Sequence, residues 1–321
     1  MSAPLVSIII PCYNAARWLA ASLESALEQT WPHREIIVVD DGSTDGSLGV
    51  ARGFESRGVR VVTQSNAGQC AACNHGLRLA KGGFIKFLDA DDLLSPESVA
   101  LQVAALAAKP GCLAYGEWAR FHADPAEAAF TPRPGWHDAA PADWLVEIWA
   151  EAQPMMQCAQ FLIPRELLER TGGWDERLSL INDFEFFARL VTASRGIAFT
   201  PGARLFYRSG LPGSLSRSRS ARAWESAFLS TILGTGHLLA LEDSPRTRRA
   251  ATAILQGLIH DMYPNMPALV ARLETRVAEL GGSTLQPLGG KGFQLARRLL
   301  GWKAARWLQF LAGRYPRPLV R

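Results

Sequence analysis

Along the first 120 residues the apolar positions switch repeatedly between strand-like runs and helical spacing, which predicts strands and helices in turn. Residues 6–10 (Val-Ser-Ile-Ile-Ile) form a short β-branched run, and over residues 15–29 the apolar Trp18, Leu19, Leu23, Ala26 and Leu27 recur at helical intervals. Residues 35–39 form a second strand run, closed by Asp40-Asp41-Gly42-Ser43. A helix is expected from about Ser47, a strand over 60–63, a helix over 69–80, and a strand over 84–88 that runs into Asp89-Ala90-Asp91-Asp92. Ser95-Pro96-Glu97 predicts a further helix start, with Ser95 as N-cap and Pro96 at the first helical position. Strands separated by helices imply βαβ units, hence a Rossmann-like α/β fold with a mostly parallel sheet flanked by helices. Ligands of such sheets bind beyond the carboxyl ends of the strands, where the polar clusters at Asp40, Asn66 and Asp89 fall.

Residues 110–204 are less regular and rich in Trp and Pro, although residues 183–191 place Phe184, Phe187, Ala188 and Val191 on one helical face. A Gly/Ser/Arg stretch up to Ser220 reads as a loop, and helical patterning dominates from Ala221. Two units are therefore expected, an α/β domain over 1–220 and a helical region over 221–321. Composition adds little: 48% hydrophobic and 20% charged residues exclude a disordered or collagen-like chain. Five cysteines in 321 residues are too few for a disulfide scaffold and fit a reduced, cytoplasmic setting. The first strand run begins almost at Met1 without a basic lead-in, so no leader is expected, and no run of 18 uncharged apolar residues predicts a spanning helix. Charge is more informative. The net +4 hides a tail, residues 281–321, with eight Lys and Arg and no acid, which leaves 26 basic and 30 acidic side chains on the rest. An anionic partner is expected for the tail alone, and nucleic-acid binding is not.

Asp89, Asp91 and Asp92 follow an apolar strand, so their carboxylates gather at its end. Close anions repel one another unless a cation joins them, and hard oxygen ligands suit Mg²⁺ or Mn²⁺. An acidic loop ahead of the next helix is the equal alternative.

Six motifs then occur in order: Val-Ser-Ile-Ile-Ile-Pro-Cys-Tyr-Asn14, Ile-Ile-Val-Val-Asp-Asp-Gly-Ser-Thr-Asp45, Asn66-Ala-Gly68, Phe-Leu-Asp-Ala-Asp-Asp92, Gly172-Gly-Trp-Asp-Glu176 and Asn182-Asp183. Together they resemble the family-2 inverting glycosyltransferases of GT-A fold, over about residues 5–217. The resemblance implies transfer of a hexosyl group from a nucleotide-diphosphate donor, expected to be a UDP-sugar, to an acceptor hydroxyl in polysaccharide or glycolipid synthesis. By position, Pro11, Tyr13 and Asn14 would border the nucleotide pocket, with Asp41 at the base and Asp40 beside it. Asn66 and Gly68 belong to the same pocket. Asp89-Ala90-Asp91 looks like the DxD motif, with Mn²⁺ or Mg²⁺ on Asp91 and Asp92. Asp183 matches the catalytic base; the alternative is an exposed helix acid balanced by Arg189. Arg208 and Arg217 would bring positive charge to the diphosphate, unless both are solvated loop charges.

Three positions depart from the family pattern. Cys73 stands before Asn74 where Arg is common, Asn182 precedes the base where Glu is frequent, and Ser209-Gly210 follow Tyr207-Arg208 where many members carry a metal-binding His. A catalytically silent nucleotide-sugar-binding module is therefore an alternative. A sugar-nucleotide pyrophosphorylase is a weaker one, because Pro11-Cys-Tyr-Asn14 is not a Gly-rich triphosphate loop.

Other features weigh less. Cys70-Ala-Ala-Cys73 has redox or zinc spacing but no second ligand pair, so buried thiols are the expected reading. Trp136, Trp144, Trp149 and Trp174 either stack on acceptor sugars or pack the core. Over residues 293–311 a single helical projection gives an apolar stripe beside Arg297, Lys303 and Arg306. This predicts an interfacial helix within 290–321 on an anionic leaflet, or one docked on the domain. The acceptor would then be a sugar or lipid-linked saccharide, met at the cytoplasmic face of a membrane.

Overall fold

The computed structural model describes residues 3–152, 154–211 and 220–312. Its strands are β1 (Val6–Cys12), β2 (Arg34–Asp40), β3 (Val59–Thr63), β4 (Phe84–Phe87), β5 (Leu93–Leu94), β6 (Leu113–Phe121), β7 (Phe161–Pro164) and β8 (Ile197–Arg208). They form one sheet in the order β3-β2-β1-β4-β7-β6-β8-β5. The β3-β2-β1-β4 half is parallel, as the strand–helix alternation predicts. Beyond β4 the sheet is mixed: β7 runs antiparallel to both β4 and β6, β6 and β8 are parallel, and β5 is antiparallel to β8. Every residue of β1 is buried because strands flank it on both edges and helices cover both faces, the setting in which a strand reads as a continuous apolar run.

The helices are α1 (Leu19–Leu27), α2 (Ser47–Arg52), α3 (Gln69–Leu79), α4 (Ser98–Ala108), α5 (Pro141–Trp149), α6 (Arg165–Thr171) and α7 (Asn182–Ala193). A helical region follows with α8 (Ala221–Leu241), α9 (Pro245–Met262), α10 (Pro267–Glu279), α11 (Lys291–Leu300) and α12 (Trp302–Leu311). One face of the sheet packs against α1 and α4 through Leu19, Leu23, Val99 and Val103. The other packs against α3, α5 and α7, where Trp174 stacks on Phe186 at 3.9 Å and Phe161 on Phe187 at 4.0 Å. Trp144, Trp149 and Trp174 belong to this core, so packing rather than sugar stacking accounts for them. Trp136 stacks on Phe199 at its margin.

Three expected boundaries move, each for a tertiary reason. The helix predicted from residue 15 starts at Leu19, because the amides of Ala15 and Ala16 donate instead to Ser47 Oγ (2.8 Å) and Asp45 Oδ2 (3.1 Å). Ser95 is not an N-cap: α4 starts at Ser98, and Ser95 Oγ accepts from the Arg204 amide (3.1 Å) and donates to the Gly202 carbonyl (3.2 Å). The single C-terminal helix is two helices, broken at Gly301 with φ of +81°.

That break changes the tail. Phe293, Ala305 and Arg306 turn inward, with the Arg306 guanidinium 4.7 Å from the Phe293 ring centre, so Arg306 does not reach outward as predicted. Trp302 packs on His260 and Tyr263, and Lys303 pairs with Glu274 at 2.7 Å. Leu295, Leu299, Leu300, Trp307, Leu308, Phe310 and Leu311 remain exposed.

Candidate functional site

A cavity of about 1350 Å³ opens at the carboxyl ends of β1, β2 and β4, and α7 and α9 close its far side. Pro11, Tyr13 and Asn14 line it after β1, Asp41 after β2, Asn66 and Gly68 ahead of α3, and Asp89 and Asp91 after β4. Asn14 holds φ of +51°, a conformation Asn tolerates, while its Oδ1 accepts from the Thr44 amide at 2.8 Å. Asp41 is buried and pins the neighbouring loop: it accepts from the amides of Ala67 (2.9 Å) and Gly68 (2.8 Å) and from Gln64 Nε2 (2.7 Å). Gly68 sits at φ of +96°, which a side chain would strain, so that its amide can turn toward Asp41.

The three carboxylates after β4 have different surroundings. Asp89 accepts from Gln69 Nε2 (2.8 Å) and Gln157 Nε2 (2.9 Å), one on each oxygen. Asp92 is fully buried and lies off the cavity wall, with Oδ1 taken by the Arg208 amide (2.8 Å) and Oδ2 by Gln157 (2.8 Å). The Asp91 carboxylate lines the cavity. Burial and the nearby Asp89 charge push it up to about 7. Among the described residues no three His, Cys, Asp or Glu side chains are arranged to hold a metal ion. A divalent cation would fit beside Asp91, taking its remaining oxygens from phosphates and water, a donor set suited to Mg²⁺ or Mn²⁺. Asp92, also expected as a ligand, does not line the cavity, and each of its oxygens accepts one hydrogen bond.

Asp183 enters the cavity from the first turn of α7. Its Oδ1 is buried without a hydrogen-bond partner, and Arg189 is bound to Glu185 rather than to Asp183. Burial first, and Asp89 second, raise its carboxyl well above the ordinary range. The turn is held rigidly. Ile181 sits at φ of +50°, its carbonyl accepts from Ser230 Oγ of α8 (2.7 Å), and Phe184 stacks on Trp149 at 4.9 Å. Asn182 donates to Gln69 Oε1 and to Cys70 Sγ, both at 3.2 Å, which ties α7 to α3. Asn74 accepts from the Trp174 amide at 2.8 Å, so close that a Cβ on Gly173 would lie 2.4 Å from its Oδ1. Cys70 and Cys73 are buried free thiols whose pKa burial raises.

Several expected site residues are placed elsewhere. Asp40 is buried behind the cavity wall, bonded to the Ser43 amide at 3.3 Å. Arg208 is the last residue of β8 rather than a loop charge. Its Nε donates to the Asp91 carbonyl (2.9 Å) and its guanidinium lies 4.3 Å from the rings of both Trp18 and Phe121. Arg217 lies outside the described residues. Conversely, Gln69 and Gln157 orient Asp89, and Arg17, Trp118, Arg120 and Arg133 line the cavity without belonging to any motif. Gln157 is joined to the acids across 65 residues of chain, which no local pattern signals.

The family model described as Glycosyl transferase family 2 matches residues 7–170. A chondroitin synthase of Escherichia coli is 42% identical over 100 residues, 30% of this chain and 15% of that protein. The chain spans about half the length or less of the first curated relatives it matches. Among solved structures, Staphylococcus aureus TarS 1–349 in complex with UDP-GlcNAc is similar with a TM-score of 0.62 at 16% identity, over 98% of this chain and 93% of that one. A mannosyltransferase of Pyrobaculum calidifontis, in complex with GDP-Man and Mn²⁺, gives a TM-score of 0.54 at 19% identity, over 97% and 88%. With the mixed eight-stranded sheet and its flanking helices, these matches show that the chain has the GT-A fold and belongs to glycosyl transferase family 2.

Proposed function

We propose that the protein is an inverting, metal-dependent glycosyltransferase that moves a hexosyl group from a nucleotide-diphosphate sugar to an acceptor hydroxyl. The observation that carries this reading is one cavity holding both Asp91 and Asp183, the latter with a free buried oxygen. Pro11, Tyr13, Asn14, Asn66 and Gly68 form the nucleotide end, where Asp41 works by holding the 66–68 loop open to the cavity. Asp91 would hold the Mn²⁺ or Mg²⁺, which when bound neutralises charge developing on the leaving diphosphate. Asp183 takes the proton from the attacking hydroxyl, a role worth roughly 10²–10⁴-fold in rate. Gln69 and Gln157 hold Asp89 beside them. UDP is the favoured nucleotide, supported by the fold shared with the UDP-GlcNAc-bound TarS structure, and polysaccharide or glycolipid synthesis by the chondroitin synthase relative.

We take residues 1–220 as the transferase domain and 221–321 as a helical extension. The exposed apolar face of α11 and α12, beside Lys291, Arg297 and Arg298, supports contact with an anionic membrane surface on its cytoplasmic side, where a lipid-linked acceptor is met.

Thermal shifts against a panel of nucleotide sugars test the reading, since a ligand of the folded state raises the melting temperature. A UDP-sugar should shift the protein in Mn²⁺ and lose that shift in EDTA, and NMR of the product should give the opposite anomeric configuration. A retained configuration sinks single displacement, and an EDTA-insensitive shift sinks the metal.

A further inference from the structure

The cavity carries a pair of cations that the proposed transfer does not use. Strand β6 and the loop after it bring Arg120 and Arg133 to the Trp118 ring, and all three line the cavity. The Arg133 guanidinium lies 4.3 Å from the Trp118 ring centre, and that of Arg120 lies 5.4 Å from the same ring and 5.5 Å from Tyr207. Among the described residues neither arginine forms an ion pair. Arg120 Nε is buried without a hydrogen-bond partner. Burial and the like charge of Arg133 both disfavour the Arg120 cation. Arg120 is partly desolvated and Arg133 exposed; neighbouring guanidinium groups without a counter-charge attract an anion, and their planar forks match phosphate or carboxylate.

Arg208, not Arg120, is the basic group that acts on Asp91. Arg120 pairs in register with Tyr207, the residue before Arg208, so one strand separates it from the Arg208–Asp91 contact. Tyr207 is close enough to Asp89, Asp91, Asp92 and Arg120 to be influenced by all four charges. Trp118 and Tyr207 supply ring faces of the kind that sugars pack on.

We propose that Arg120 and Arg133 form a subsite for a phosphate or carboxylate group on the acceptor saccharide, so that the protein selects anionic acceptors. The assignment of the anion to an acceptor rests on the transferase reading; the anion site itself does not. The test measures, by NMR saturation transfer, binding of glucose 6-phosphate, glucuronate and glucose to the full chain, with and without saturating UDP and Mn²⁺. Both charged sugars should bind at least tenfold more tightly than glucose, and equally well with UDP and Mn²⁺ present. Arg120→Gln and Arg133→Gln should each remove that preference, the exposed Arg133 serving as the variant least able to disturb folding. No preference in the parent protein, or its persistence in both variants, overturns the site. Loss of the preference on adding UDP and Mn²⁺ assigns the arginines to the donor diphosphate and overturns the acceptor subsite. Charged-sugar binding that survives in a protein with no affinity for any nucleotide keeps the anion site and removes the transferase reading instead.

Discussion

Asp91 and Asp92 are adjacent in the chain, yet one lines a cavity and the other is sealed behind it with both oxygens bonded. The two should therefore fail differently. Asp91→Ala should abolish metal-dependent UDP-sugar binding with little loss of stability. Asp92→Ala strands the Arg208 amide, removes one of the two bonds that Gln157 Nε2 donates, and should cost about 1–3 kcal/mol, read from denaturant unfolding. The same loss of stability in both variants would contradict this division. Asp183 has a pH signature. Burial raises its pKa, so the carboxyl keeps its proton to a higher pH than an ordinary acid, and a base must be deprotonated to work. Transfer kcat/KM should rise with pH through a value above the ordinary carboxylate range. Asp183→Asn should lose roughly 10²–10⁴-fold in kcat while still binding donor. An unchanged rate would end its assignment as base. At this scale the motifs marked which acids matter, but a carboxylate's role follows from what bonds to each oxygen, and for Asp89 and Asp92 those partners come from Gln69, Gln157 and Arg208.

The elements that aim these residues rest on aromatic packing. Helix α7 aims Asp183 into the cavity while Phe184, Phe186 and Phe187 lock the helix against Trp149, Trp174 and Phe161. Removing the Phe186 ring should cost about 3–5 kcal/mol. Because the loss acts on the seat of α7, Phe186→Ala should also lower kcat in protein that remains folded; unchanged kcat would mean that α7 is held by α8 alone. The face of α7 was readable from its 3.6-residue period, and β1 to β4 from β-branched runs, because those elements answer to local spacing. β7 and the β6–β8 pairing were not, since a four-residue strand in a Trp- and Pro-rich stretch has no period to read. Likewise Ser95 has the composition of a helix cap but is captured by β8, a partner more than a hundred residues away.

Across the whole molecule, α11 and α12 face two ways, seated on His260 and Tyr263 through Trp302 and open to solvent through Leu299, Leu300 and Trp307. Leu299→Ser with Leu300→Ser should reduce co-sedimentation with anionic liposomes at low salt and leave the melting temperature unchanged, because both leucines are exposed. Basic residues near such a surface contribute about 1 kcal/mol each, so added salt should weaken binding of the parent protein too. Salt-insensitive association, or none, would leave α12 a packing element only. No helix among the described residues is long and apolar enough to cross a membrane. The sequence alone determined the α/β alternation, the strand ends at which polar clusters gather, the amphipathic tail and the family resemblance, because each is a matter of spacing within a few dozen residues. Tertiary structure alone decided that Asp40 and Asp92 lie off the cavity wall, that Arg208 ends β8, that Gln157 joins two acids, that Gly301 splits the tail, and that Arg120 and Arg133 approach one indole. Those outcomes depend on which distant segments close over each side chain, and burial and hydrogen-bond partners exist only once the sheet has brought them together.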